Sequence, residues 1–230
     1  MRNDKQPERQ DGKYRGVLLD IDGTLVDSNE AHVEAWVQAL KENGHEVGKE
    51  KIRSLIGMGG DNLLPAVGVD EESTEGKRMA ERHGELFKER LPRLRPFPGV
   101  RPLLEKMKAE GLKRVVASSA QPDEVKALLE IAGVTDLVED TADSGDADSS
   151  KPEPDIVKAA LARIELEPGE VVLLGDTPYD IEAAGKAGVA TLAVRSGGFP
   201  DEELQGAIAL YNDAADLLAR YASSPLGRSS

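Results

Sequence analysis

The chain has 230 residues, 29 of them Lys or Arg against 43 Asp or Glu for a net charge of -14, with 39% hydrophobic residues. This is the balance of a globular protein with room for one α/β domain, or for a core carrying a smaller insert. The acidic surface repels polyanions and aromatics are only 3%, so nucleic acid is excluded as the expected partner; zero cysteines exclude a disulfide framework, a thiolate nucleophile and thiolate-bound zinc.

Met1 to Gly12 is charged and polar without an apolar signal core, which reads as a disordered tail and, with no export signal, predicts a cytoplasmic protein. Gly16-Val17-Leu18-Leu19 is a short apolar run ending at Asp20, the pattern of a buried parallel strand. From Glu30 the period changes: Val33, Trp36, Val37 and Leu40 recur at helical spacing, Asp27 or Ser28 can cap the start, and Gly44 stops the helix. Between Val47 and Leu94 the spacing predicts helices over Ile52 to Ile56, Asn62 to Val67 and Ser73 to Leu91, and no strand. Pro92, Pro96 and Pro98 around Phe97 then form a stiff hinge.

From Val100 onward helices and strands alternate. Helices are predicted from Val100 to Gly111, Glu124 to Ala132, Asp155 to Ile164 and Ile181 to Ala187. Strands are predicted at Arg114 to Ala117, Leu137 to Val138, Val171 to Leu174 and Ala190 to Val194, with a last short strand within Leu204 to Tyr211 and a closing helix from Ala214 to Tyr221. The expected fold is α/β: a Rossmann-like parallel sheet with helices on both faces, built from residues 13–27 and 98–222, with an inserted all-helical cap over 28–97 and a mobile tail at 223–230. No segment approaches the about 20 apolar residues of a membrane span, so no membrane partner is expected.

Asp20 and Asp22 lie two apart at the end of an extended segment, so both carboxylates leave one side of the backbone. The plainer reading is a solvated acidic turn capping the next helix. An EF-hand does not match, because its glycine and glutamate positions hold Leu25 and Ala31. Gly175-Asp176-Thr177-Pro178-Tyr179-Asp180 repeats the logic after the run Val171 to Leu174, and carboxylates gathered at strand ends suit magnesium; Asp180 also reads as a helix N-cap. Ser118 follows a strand and precedes a helix, offering either an anion site or a cap. Lys151, between Ser150 and Pro152, is either surface charge or a fixed ammonium beside the carboxylates. His32, His45 and His83 lack metal-ligand spacing; His45 and His83 read as surface or packing residues, and His32, near Asp20, as a substrate contact or a helix-surface residue. Gly57-Met58-Gly59-Gly60 lacks both the preceding strand and the last glycine of a dinucleotide loop, since Asn62 stands there. It reads as a flexible loop facing substrate or as a plain turn.

Asp20-Ile21-Asp22-Gly23-Thr24, then Ser118, then Lys151, then Gly175-Asp176 with Asp180, in this order, resemble the motifs of the haloacid dehalogenase-like superfamily. The resemblance covers Tyr14 to Tyr221 and makes the helical insert similar to that superfamily's first type of cap. It implies a phosphatase in which Asp20 is the nucleophile, Asp22 the acid and base, and Ser118 and Lys151 hold the phosphoryl oxygens. It further implies magnesium on Asp20, Asp22, Asp176 and Asp180, and substrate contacts from Thr24, Ser119, His32, Gly57, Gly59 and Gly60. The substrate expected is a small phosphorylated metabolite, phosphoglycolate or a sugar phosphate. Asp22 disfavours the dehalogenases and the phosphonate-cleaving branch, which depart at that position. Asp27 to Trp36 with His32 resembles β-phosphoglucomutases, making a sugar-phosphate mutase the alternative, yet Gly60 stands where those carry an arginine. Gly57 to Asp61 looks like the cap loop of phosphoglycolate phosphatases, with Met58 in place of their asparagine. A phosphate-sensing scaffold without catalysis is the third possibility, disfavoured because Asp20 and Lys151 are both present.

Overall fold

Six short strands, each parallel to its neighbours, decide where the functional residues can gather. In the computed structural model, which describes residues 14–227, they are β1 (Gly16–Leu19), β2 (Lys113–Ala117), β3 (Asp140–Ala142), β4 (Val171–Gly175), β5 (Ala190–Val194) and β6 (Ala209–Tyr211), in the order β3-β2-β1-β4-β5-β6. The predicted tail, Met1 to Gly12, lies outside the described residues. Strand alternation sends Val17 and Leu19 into one apolar cluster and Leu18 into another, so the central strand is dry on both faces. Burying each of these leucines contributes about 1.5–3 kcal/mol.

Between β1 and β2 the chain forms helices α1 (Asn29–Glu42), α2 (Lys49–Arg53), α3 (Gly60–Ala66) and α4 (Thr74–Arg90). Val33, Trp36 and Leu40 of α1 share a core with Ile52, Leu63 and Met79, the apolar stripe that their spacing predicts. Ser73 caps α4 by accepting the Gly76 N–H at 2.9 Å. The expected helix from Ile52 begins instead at Lys49, and Ser28 does not cap α1 through its side chain, because its hydroxyl turns to Asp22. The insert's two connections are paired: Asp27 N–H donates to Arg95 O and Phe97 N–H to Leu25 O, both at 3.0 Å. A second tie forms away from this neck. The Asn62 amide donates to Ser150 O at 3.1 Å and Lys151 O at 3.2 Å, while the Asp61 carboxylate accepts the Ser150 N–H at 2.9 Å.

Helices α5 (Val100–Ala109), α6 (Pro122–Ala132) and α9 (Ala214–Ala219) cover one face of the sheet; α7 (Asp155–Ile164) and α8 (Pro178–Lys186) cover the other. The strand expected at Leu137 to Val138 is a turn, and the edge strand is the polar Asp140–Ala142 that follows. Leu137 is buried by packing on the core from that turn, whereas an edge strand needs only Ala142 to face inward. The tail expected over 223–230 is corrected as far as Gly227, and residues 228–230 lie outside the described residues. Tyr221 and Leu226 are buried in the main core, so the chain stays packed to Gly227, the last described residue. Among the described residues no helix is long and apolar enough to cross a membrane.

Candidate active site

Leu19 stands level with Val116 on one side and Leu174 on the other, so β1, β2 and β4 end together. The chain order reverses at β1, and the carboxyl ends of strands at such a reversal form the crevice where open α/β sheets bind ligands. Asp20, fixed by its N–H on Leu174 O at 3.0 Å, emerges there only 7% exposed.

The Lys151 ammonium, 1% exposed, reaches Asp20 Oδ1 at 2.6 Å and Asp180 Oδ1 at 2.7 Å. Asp180 uses its other oxygen to accept the N–H groups of Asp176 and Thr177 and the Thr177 hydroxyl at 2.8 Å. The N-cap of α8 is Thr177 rather than Asp180, which stands at the third helical position as the other half of a capping box, and the same carboxylate also anchors Lys151. Asp176 is fully buried, accepting the Thr24 hydroxyl at 2.9 Å and the Asn29 amide at 3.1 Å. One oxygen from each of Asp20, Asp176 and Asp180 lies within 4.8 Å of the others. Fully ionised, the three carboxylates would exceed the one ammonium by two negative charges.

The imbalance appears in the acidities. Burial pushes Asp20 up to about 7 against the opposing pull of Lys151, with Asp180 and Asp22 adding to the rise. Asp176 is held well above the carboxylate range by burial and by repulsion from Asp20 and Asp180. Burial would lower Lys151, but Asp180 and Asp20 outweigh it and keep the ammonium charged. A buried, all-oxygen set short of two positive charges suits a hard divalent cation.

Above this cluster Asp22 begins a chain of polar contacts. Its Oδ1 accepts the Ser28 hydroxyl and meets His32 Nε2 at 3.1 Å; His32 Nδ1 meets His83 Nε2 at 3.2 Å. His32 stacks on Phe87 at 3.8 Å between ring centroids, and His83 on Trp36 at 4.1 Å. Glu124, in the first turn of α6, approaches His32 Nε2 at 3.6 Å. Burial favours a neutral Asp22, yet His32 and Ser28 overcome it and hold the carboxyl below its ordinary range; burial likewise lowers His32, but Asp22 outweighs it and the imidazole rises. Glu124 is pushed up to about 7 by burial, against His32. His83 is driven well down by burial and by His32.

A cavity of about 180 Å³ lies between the sheet ends and the insert. Asp20, Asp22, Ser118 and Lys151 form its floor, and Trp36, His83 and the loop Gly57 to Gly60 line it from the insert. Of the expected substrate contacts, Ser119, His32, Gly57, Gly59 and Gly60 border this space. Thr24 does not: it is 1% exposed and its hydroxyl serves Asp176. Ser118 Oγ accepts the Ala120 N–H at 3.2 Å, and Ser119 Oγ the Lys151 N–H at 3.3 Å. The helix-surface reading of His32 is corrected, since it is buried against Asp22.

Asn29, His83 and Glu124 were not singled out as site residues from the sequence. Asn29 and Glu124 each occupy the first turn of a helix that follows a strand end, a position that faces the carboxyl edge of the sheet. The pairs His32/Trp36 and His83/Phe87, each four apart, are the sequence trace of one aromatic stack across α1 and α4.

Residues 17–194 match the family described as haloacid dehalogenase-like hydrolase. The chain belongs to that family. It is 30% identical to a phosphoglycolate phosphatase of Aquifex aeolicus over 77% of this chain and 83% of that one. A pyrophosphatase, PpaX, of Bacillus velezensis is 25% identical over 80% of this chain and 84% of its own. The crystal structure of a hydrolase from Pseudomonas syringae superposes with a TM-score of 0.86 at 28% identity, covering 91% of this chain and 98% of that one. The chain is thus an enzyme of phosphoric-ester hydrolysis with the haloacid dehalogenase-like fold.

One test of the acidic cluster needs no substrate. A Cβ added at Gly197 would land on the Asp176 carboxylate. Gly197→Ala is expected to displace Asp176 and weaken divalent-cation binding by about 10-fold to 100-fold with the fold intact, the range for disturbing the groups that orient a ligand. Titration calorimetry with magnesium beside a circular dichroism spectrum checks both parts.

Proposed function

We propose that the enzyme is a magnesium-dependent phosphatase that hydrolyses a small phosphate monoester through a phosphorylated Asp20. The observation that carries this reading is the position of Asp20. Among the described residues it is the one carboxylate that both borders the cavity and belongs to the acidic cluster held by Lys151.

In the first step an Asp20 carboxylate oxygen attacks phosphorus, the ester P–O bond breaks, and the leaving alkoxide takes a proton from Asp22. In the second, Asp22 accepts a proton from water as that water attacks phosphorus, releasing phosphate and restoring Asp20. Asp22 has His32 at 3.1 Å with which to exchange that proton. Lys151 and the Ser118 hydroxyl steady the phosphoryl oxygens. The Asp20 carboxylate, the Asp22 carbonyl and Asp176 would hold magnesium, whose charge offsets that of the transferring group. Asp180, with its oxygens committed to Lys151 and the α8 cap, supports this set from behind.

Residues 28–97 act in this reading as a cap over a core of 13–27 and 98–222, excluding water around the leaving group. Phosphoglycolate and sugar phosphates are the candidate substrates that family membership brings, and the charge of the leaving group separates the two. The mutase reading needs a grip on the distal phosphate of a bisphosphate, and Gly60 offers none. Phosphate release from a panel of monoesters is expected with magnesium and lost on chelation by EDTA. Sugar phosphates isomerised without release would replace this reading with the mutase.

A further inference from the structure

We infer that the enzyme selects phosphate monoesters whose alcohol portion carries no negative charge, and discriminates against phosphoglycolate, pyrophosphate and bisphosphates. The inference rests on the phosphatase reading only for placing the phosphoryl group against Asp20; the rest of the cavity then receives the leaving group. A second anion buried there would need a cation, or several converging N–H donors, to replace its water.

Among the described residues the cavity supplies no unengaged cation, and its backbone N–H groups are divided between the Gly57 to Gly60 loop of the insert and Ser119 to Gln121 of the core. Lys151 is the only lysine or arginine among the described residues that borders it, and its ammonium is held at the floor by Asp20 and Asp180. Arginines of the insert are engaged elsewhere: Arg53 with Glu30 and Glu50, Arg82 with Glu42 and Glu85, Arg90 with Glu34. Lys88 is near enough to be felt by Glu124 but is exposed and does not border the cavity. Both nitrogens of His32 are already spent, on Asp22 and on His83.

The loop from Gly57 leads into α3, a helix of seven residues whose first turn carries its own carboxylate, Asp61. What the walls do present is Asp22 and Glu124 beside Trp36, Ile56, Met58 and Ala80. Glu124 contributes no positive charge in either protonation state, and in both it can hydrogen-bond a hydroxyl. Carboxylates among apolar walls recognise an uncharged, hydroxylated group and repel an anionic one.

The test uses phosphoglycolate and its amide, which match in heavy atoms and differ in charge, with magnesium present. The kcat/KM of the amide is expected to exceed that of phosphoglycolate by about tenfold or more, a like-charge penalty of modest size. Glu124→Gln should narrow the ratio, and Glu124→Lys should narrow it further or invert it. Equal or faster turnover of phosphoglycolate by the wild type overturns the inference. If neither ester is hydrolysed, the phosphatase reading falls, and calorimetric binding of the two esters to Asp20→Asn decides the inference separately: tighter amide binding sustains it, tighter phosphoglycolate binding overturns it.

Discussion

Replacing Asp20 by asparagine is expected to lower kcat for phosphate release by about 10⁴-fold or more, the scale on which removing a covalent nucleophile acts. The amide keeps the shape of the carboxylate but is a far weaker nucleophile. Lys151 retains Asp180 at 2.7 Å, so the ammonium is not stranded. Burial and the neighbouring carboxylates already push Asp20 up to about 7, and neutralising it relieves repulsion within the cluster. The melting temperature of the metal-free variant should therefore equal or exceed that of the wild type. Steady-state phosphate release and a thermal melt on the same preparation check both parts. A variant that keeps a tenth of the wild-type rate would remove Asp20 from the nucleophile's role.

The second large effect belongs to Lys151→Met. Methionine fills much of the same space but withdraws the only cation, among the described residues, that touches Asp20 and Asp180, leaving the three buried carboxylates without compensation. Stranding one side of a buried ion pair costs about 3–5 kcal/mol. For a chain of this size that corresponds to a fall in melting temperature of roughly 10 °C in the absence of metal. Added magnesium should recover part of the loss, because a divalent cation restores the missing charge and binds only the folded cluster. Differential scanning calorimetry with and without magnesium reads both effects. A melting temperature within about 2 °C of the wild type, less than one kcal/mol at this size, would mean that the carboxylates are balanced by something other than Lys151.

The fold was legible where burial is symmetrical. Val171 to Leu174 and Gly16 to Leu19 are apolar because both faces of a central strand are covered, and a run of that kind ending in an acid marks its own carboxyl end. The polar edge strand Asp140–Ala142 carries no such mark, and the apolar Leu137 beside it misled the strand assignment. Site residues followed the same division. Asp20, Asp22, Ser118, Lys151 and Asp176 announce themselves by order along the chain. Thr24 shares the first motif with Asp20, yet spacing alone does not say which way a turn sends a hydroxyl, and it went to Asp176. His83 and Glu124 join the site only because α4 and α6 are brought against α1, a juxtaposition across more than forty residues in each case, which no local pattern encodes.

The insert's grip on the loop of Lys151 has a consequence for the order of events in a catalytic cycle. Asn62 holds the carbonyls of Ser150 and Lys151, and Asp61 holds the Ser150 N–H. An insert that swings away on its paired neck must let go of that loop as it uncovers the cavity. Departure of the leaving group and slackening of the loop that carries the site's one ammonium then become a single movement. With the insert swung away, that loop would lose three hydrogen bonds at the moment the cavity opens.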